Sequence, residues 1–190
     1  MQQSAGADVA LIEGNKGLFD GLDVEGGDSN AALAKLLNIP VVLVIDVTGM
    51  TRGIAPLLSG YIAFDPEVRI AGVVLNCVAS PRHERKLRAA IDLYTDLPVL
   101  GAIPRSEELH IEERHLGLVT SAEHNQADSW LGSVAKTVDA AMDIDALLDL
   151  TDGVVEENFV KPLKKIQPVD LRIAIAQDKA FGFYYPDDLA

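Results

Sequence analysis

Apolar positions in this chain fall into short continuous runs separated by stretches of helical spacing. Val9–Ile12, Val41–Ile45, Ile70–Leu75 and Pro98–Ile103 each have the length and apolar character of a strand buried on both faces. Between the runs lie helical patterns. Asp28 or Ser29 can cap a helix to about Leu37, with Ala31, Ala32, Leu33, Ala34, Leu36 and Leu37 as its apolar face and Asn38-Ile39-Pro40 as its stop. A second helix spans Ile54–Phe64, with Pro56 in its first turn, and Ser80-Pro81 opens a third that runs to about Leu93. Strand–helix alternation of this kind predicts an α/β fold, a mostly parallel sheet with helices on both faces.

Past Arg105 the pattern changes. Glu107–Val119 is charged and mixed, Asp128 can cap a helix to about Met142, and Asp143 a short one over Ile144–Leu150. The polar stretch from Thr151 holds two prolines before residue 169 and reads as a linker, and Arg172–Ala176 opens a new strand. The expected organisation is therefore a core over residues 1–150, a linker over 151–169 and the start of a second domain over 170–190.

In open α/β sheets ligands gather at the C-terminal ends of strands, which makes the residues at those ends the candidates for chemistry. Val9–Ile12 is followed by Glu13 and a loop with five glycines up to Gly27; from Asp8 to Asp28 six carboxylates face one base, Lys16. Glycines let the backbone approach a ligand closely, and a carboxylate at a strand end suits Mg²⁺, which takes one or two carboxylates plus phosphate oxygens. A solvated acidic loop is the plain alternative. Lys16, the loop's lone cation, could meet an anionic substrate. At the next strand end, Asp46 could anchor its loop and Arg52 could grip a carboxylate or phosphate through both arms of its guanidinium. Asn76 ends the third run; its amide offers a donor and an acceptor, as a base edge requires. Cys77 beside it reads as a small buried filler.

Charge and composition narrow the partners. A net charge of −13 disfavours nucleic acid and anionic membrane surfaces. No apolar run reaches membrane-span length, the N-terminus has no signal-like segment, and one cysteine fits a reducing compartment, so the cytoplasm is expected. The histidines show no HxxxH or HExxH spacing. His110 and His115, five apart, do not share a helical face. No GxxxxGK[ST] loop occurs.

EGNKGLFDG followed by DSNAALAKLL, then VVLVIDVTGMTRGIAPLLSGYIAFDP, IAGVVLNCVASPRH, VLGAIPR and ERHLGLV, resembles the cobyrinic acid a,c-diamide synthases, relatives of dethiobiotin synthetase in their synthetase half. The resemblance covers about the first 125 residues and, more weakly, the rest. It implies a P-loop NTPase-like core whose phosphate loop and first strand lie upstream of Met1, and an amidotransferase domain that continues past Ala190. The implied activity is amidation of the a- and c-acetates of cobyrinic acid through acyl phosphates, with ATP and Mg²⁺ and with glutamine-derived ammonia as nitrogen donor. On the matching positions, Glu13 becomes the metal-associated acid, Asp20 of Gly17-Leu18-Phe19-Asp20-Gly21 a substrate-orienting or intermediate-stabilising acid, Asn76 the reader of the adenine edge and Pro104 its flank; given a tetrapyrrole substrate, Lys16, Asp46 and Arg52 are the residues expected to bind it. Asn15-Lys16 departs from the Val-Met of the common corrinoid form and resembles the branch acting on sirohaem-type rings. The resemblance allows a homodimer. A partitioning or site-selection switch ATPase of the same broad fold is the rival, disfavoured by the acidic charge.

Overall fold

A computed structural model of the chain describes residues 7–109, 113–114, 117–118, 127–152, 174–176 and 184. Its centre is a parallel sheet of three strands in the order β1 (Val41–Asp46), β2 (Ile70–Val78) and β3 (Val99–Pro104). Right-handed crossovers are the rule for such units, and each connection here carries a helix, as a parallel pair requires. The helices are α1 (Asn30–Leu37), α2 (Ile54–Phe64), α3 (Pro81–Tyr94), α4 (Ala127–Ala141) and α5 (Ile144–Asp149). A two-stranded antiparallel ribbon, β4 (Glu113–Arg114) with β5 (Gly117–Leu118), lies in the stretch that reads as mixed and charged.

The helix ends follow local chemistry. Ser29 Oγ accepts the amide of Ala32 at 3.1 Å, and α1 stops at Asn38, whose left-handed φ of 50° lets its N–H reach the Ala34 and Lys35 carbonyls. Ser80 Oγ accepts the amide of His83 at 3.2 Å, with Pro81 as the first residue of α3. Asp143 caps α5 through the amide of Ala146 at 2.9 Å.

Leu43, Val73 and Leu75 of the sheet meet Ile54 and Leu58 of α2 and Leu87, Ala90 and Ile91 of α3 in one apolar core. Ile54, Leu58, Leu75, Leu87 and Ile91 are fully buried. The glycine-rich loop joins that core through Leu18, and Phe19 lies against Tyr61 and Phe64 of α2, with ring centroids 5.7 Å and 4.7 Å away. At the far side α4 abuts β3: Met142 bridges to Gly101, and the Asp143 amide donates to Leu100 O at 2.8 Å.

Two expectations about strands need correction. Val9–Ile12 forms no strand and lies open, with Leu11 89% and Ile12 51% exposed. A strand needs an edge to receive its N–H and C=O groups, and none lies beside this run among the described residues. β1 is not buried on both faces either: Val44 is 63% exposed, because no described element packs over its face of the strand. Cys77 also differs from the buried filler expected of it, being half-buried with a left-handed φ of 61° at an irregularity in the β2–β3 register. His110, His115 and almost all of the expected linker and second domain lie outside the described residues; of the latter, Tyr184 donates its hydroxyl to Ala176 O at 2.6 Å.

Candidate functional site

Parallel strands deliver their C-terminal ends to one edge of a sheet, and here that edge carries Asp46, Asn76 and Pro104. Asp46 and Asn76 are register partners, as are Val78 and Pro104. Backbone bonds lock the row: Val47 donates to Asn76 O at 3.0 Å, Arg105 to Val78 O at 2.9 Å, and Met50 closes the loop after β1 onto Val47 O at 2.9 Å. Three of the residues singled out in the sequence are thus neighbours in space.

Each member of the row is oriented by a local bond. Asp46 Oδ1 accepts the Thr48 amide at 2.8 Å, and its carboxyl is held below the usual carboxylate value by the Thr48 hydroxyl, then the Thr48 amide, with the Arg105 guanidinium adding attraction. Asp46 therefore stays ionised while shaping the turn in which Gly49 takes φ 71°, a conformation that favours glycine. Asn76 Oδ1 accepts the Cys77 amide at 3.0 Å, which leaves its NH₂ hydrogens and one oxygen lone pair for a ligand. That bond goes with the left-handed turn at Cys77, a strained conformation for a residue with a side chain.

Past the C-terminal ends of β2 and β3, between α3 and α4, opens a cavity of about 630 Å³, within the range of small-molecule sites; Asn76 is not among the residues that line it. Val78, Ala102, Pro104 and Ala140 give it apolar walls, and Ser80, Glu84, Arg105, Lys136 and Thr137 give it polar ones. Arg105 and Lys136 bring positive charge that their place in the sequence did not signal; only the topology sets them together at the end of β2. The Pro104-Arg105 pair was readable as part of a motif, but not as a cavity wall.

The other candidates lie in the glycine-rich loop. Lys16 Nζ is 3.8 Å from Asp28 Oδ2. Asp28 also accepts the amides of Leu22 at 2.9 Å and Asp23 at 3.2 Å, which hold its carboxyl below the usual range ahead of the attraction of Lys16. Asn30 Nδ2 donates to Lys16 O at 2.8 Å. The loop is thus a folded unit, with Glu13 and Asp20 exposed on it. Arg52 sits 5.2 Å from the Tyr94 ring centroid as a cation–π pair.

As for cofactors, the Asn76 amide has the donor and acceptor that a planar base edge requires, and Pro104 lines the cavity past the neighbouring strand end. They do not by themselves fit a metal ion: Glu13 stands exposed, and no group of three His, Cys, Asp or Glu side chains gathers among the described residues.

Comparison with known proteins agrees with this architecture. The sequence profile of the "AAA domain" family matches residues 1–113. A cobyrinate a,c-diamide synthase of Magnetococcus marinus is 46% identical over 97% of this chain and 41% of its own length. A hydrogenobyrinate a,c-diamide synthase of Brucella anthropi is 41% identical over 95% of this chain and 41% of its own. A cobyrinate a,c-diamide synthase of Caldanaerobacter subterraneus is 40% identical over 96% and 40%, respectively. The chain thus spans about two fifths of the length of these curated relatives. No solved structure matches the chain significantly. Similar in sequence to the a,c-diamide synthases over two fifths of their length, and with more than half its own residues matched by the family profile, the chain belongs to the AAA domain family.

Proposed function

We propose that this chain supplies the nucleotide-recognition edge and part of the substrate surface of an ATP-dependent amidoligase acting on cobyrinic acid. What carries the reading is the 46% identity to a cobyrinate a,c-diamide synthase, which runs through 97% of the chain rather than through one motif. The geometry supports it: Asp46 and Asn76 stand at the C-terminal strand ends, where ligands bind in open α/β sheets, and a cavity opens past the ends of β2 and β3.

Turning a carboxylic acid into an amide requires an activated acyl group. ATP supplies it by phosphorylating the ring acetate, and ammonia released from glutamine then displaces phosphate. In this reading Asn76 bonds the adenine edge, Pro104 flanks it, and Asp46 holds the loop that carries Arg52. Glu13, exposed on the glycine-rich loop, would be the acid associated with Mg²⁺, whose other ligands would be phosphate oxygens, and Asp20 on the same loop would orient the substrate or stabilise the intermediate. Residues 170–190 open the glutamine-handling domain. The relatives carry cobyrinate and hydrogenobyrinate names, which favours a corrin ring over a sirohaem-type one, although Asn15-Lys16 keeps the latter as the second substrate to try.

The test is turnover by the purified full-length protein with cobyrinic acid, Mg-ATP and nitrogen-15 amide-labelled glutamine. Two labelled amides per ring, with ADP formed in step, are expected. ATP-independent product, or label entering a sirohaem-type ring and not cobyrinic acid, would overturn the assignment.

A further inference from the structure

His83 touches two loops of the strand-end row. It is the third residue of α3, half-buried, and both ring nitrogens are engaged. Nδ1 accepts the amide of Ala79 at 3.1 Å, just past the end of β2. Nε2 lies 2.6 Å from the carbonyl oxygen of Met50, in the loop after β1. A carbonyl can only accept and an amide N–H can only donate, so the ring is the tautomer with hydrogen on Nε2 and a bare Nδ1. The backbone of His83 is bonded in turn to Ser80 Oγ at 3.2 Å. A capping box normally closes on itself within one helix turn; here the acceptor side chain has a second nitrogen, and that nitrogen reaches 33 residues back along the chain.

We propose that His83 is a positioning residue of the nucleotide site, a tie that fixes the loop after β1, at Met50, relative to the end of β2, at Ala79. Without it, the Asn76–Cys77 turn, with its left-handed residue, and the Asp46–Thr48 turn are joined, among the described residues, by backbone bonds at the strand ends such as that from Val47 to Asn76 O. Asn76, three residues before Ala79 on the same strand end, would then be held, among the described residues, by the strand pairing and the Val47 amide alone. The inference rests on the reading of this edge as the ATP site. The donor and acceptor must both be present, 2.6 Å and 3.1 Å from their partners, for one side chain to hold both loops. A glutamine amide offers one of each on a similar reach; alanine offers neither, and phenylalanine offers only the volume.

The experiment uses His83→Ala, His83→Gln and His83→Phe in the full-length protein. Steady-state kinetics with ATP and with the tetrapyrrole are paired with amide hydrogen exchange across residues 47–53 and 76–79. Losing two hydrogen bonds predicts that Ala and Phe raise KM for ATP by about tenfold or more, while Gln stays within about threefold of wild type. KM for the tetrapyrrole should stay within about twofold, and exchange in both loops should quicken together in Ala and Phe but not in Gln. A merely space-filling role would make Phe the better rescue. That result, or an unchanged KM for ATP in His83→Ala, would overturn the proposal. If exchange behaves as expected but the wild-type protein neither binds nor consumes ATP, the tie stands and its assignment to a nucleotide site falls with the function.

Discussion

Single side chains set the chemistry of the strand-end row. Asn76 spends one lone pair on Cys77 and keeps its NH₂ group free of described partners, so it can bond a base edge without rearrangement. Asn76→Ala should therefore raise KM for ATP about tenfold in the full-length protein and leave that for the tetrapyrrole unchanged; equal increases in both would remove Asn76 from base recognition. Charge at this scale also fixes the acid response. Asp28, Asp46 and Asp65 are each held below the ordinary value of 3.8 by hydrogen bonds, those of Leu22 and Asp23, of Thr48, and of Lys35 respectively. Below that value the unfolded chain takes up protons that the native carboxylates refuse. The stability they contribute is thus present above pH 3.8 and lost as pH falls through the native values. In urea titrations the gap between wild type and Asp28→Asn should be widest near neutrality and close on acidification; a gap that does not vary with pH would mean that the charge is not its source. Asp46, Asn76 and Pro104 were legible because each closes an apolar run, and the end of a buried strand is where a side chain meets the sheet's open edge. Arg105 and His83 were not, since each acts through a neighbour that only the fold supplies.

Secondary-structure elements were the most legible level, and the reason is local. The α2 bounds agree with the apolar spacing, and α1, α3 and α5 begin at side-chain caps that can be read directly: Ser29, Ser80 and Asp143. Val9–Ile12 was misread because its composition is that of a strand while a strand is a property of a pair. Close approach between elements is a further feature that sequence hides. A Cβ on Gly72 of β2 would come 2.5 Å from Leu100 Cδ1 and 2.7 Å from its Cγ, and Leu100 is 3% exposed. Gly72→Ala should cost about 1–3 kcal/mol of unfolding free energy, as overpacking of a tight site does. Ser80→Ala should cost about 1 kcal/mol through the lost cap of α3. Chemical denaturation of each variant is the check, and a neutral Gly72→Ala would mean that β2 and β3 separate more readily than their register implies.

At the scale of the whole molecule, the first strand of the three-stranded sheet has an open edge among the described residues, with Val44 63% exposed on it. An unpaired edge flanked by apolar surface is a template for another strand. The 190-residue chain on its own should therefore self-associate as its concentration rises, and Val44→Lys should reduce this in sedimentation experiments. The same chain should bind Mg-ATP too weakly to detect near micromolar concentration. Hydrogen bonds to a base contribute about 0.5–1.5 kcal/mol each, against roughly 8 kcal/mol for a micromolar complex, and no GxxxxGK[ST] loop adds phosphate contacts. Micromolar affinity by calorimetry would show a phosphate site elsewhere in the chain. No described helix is long and apolar enough to cross a membrane.

The seating of Phe19 between Tyr61 and Phe64 gives the glycine-rich loop a natural optical and magnetic reporter. An aromatic ring 5.7 Å from Tyr61 displaces the resonances of that tyrosine and makes its near-ultraviolet dichroism depend on the packing between them. Any ligand that draws the Glu13–Asp28 loop off α2 must part these rings, and the signal from Tyr61 would move with it. Loop opening can thus be followed in unlabelled protein at equilibrium, and its rate read from how the tyrosine lines broaden as ligand is added.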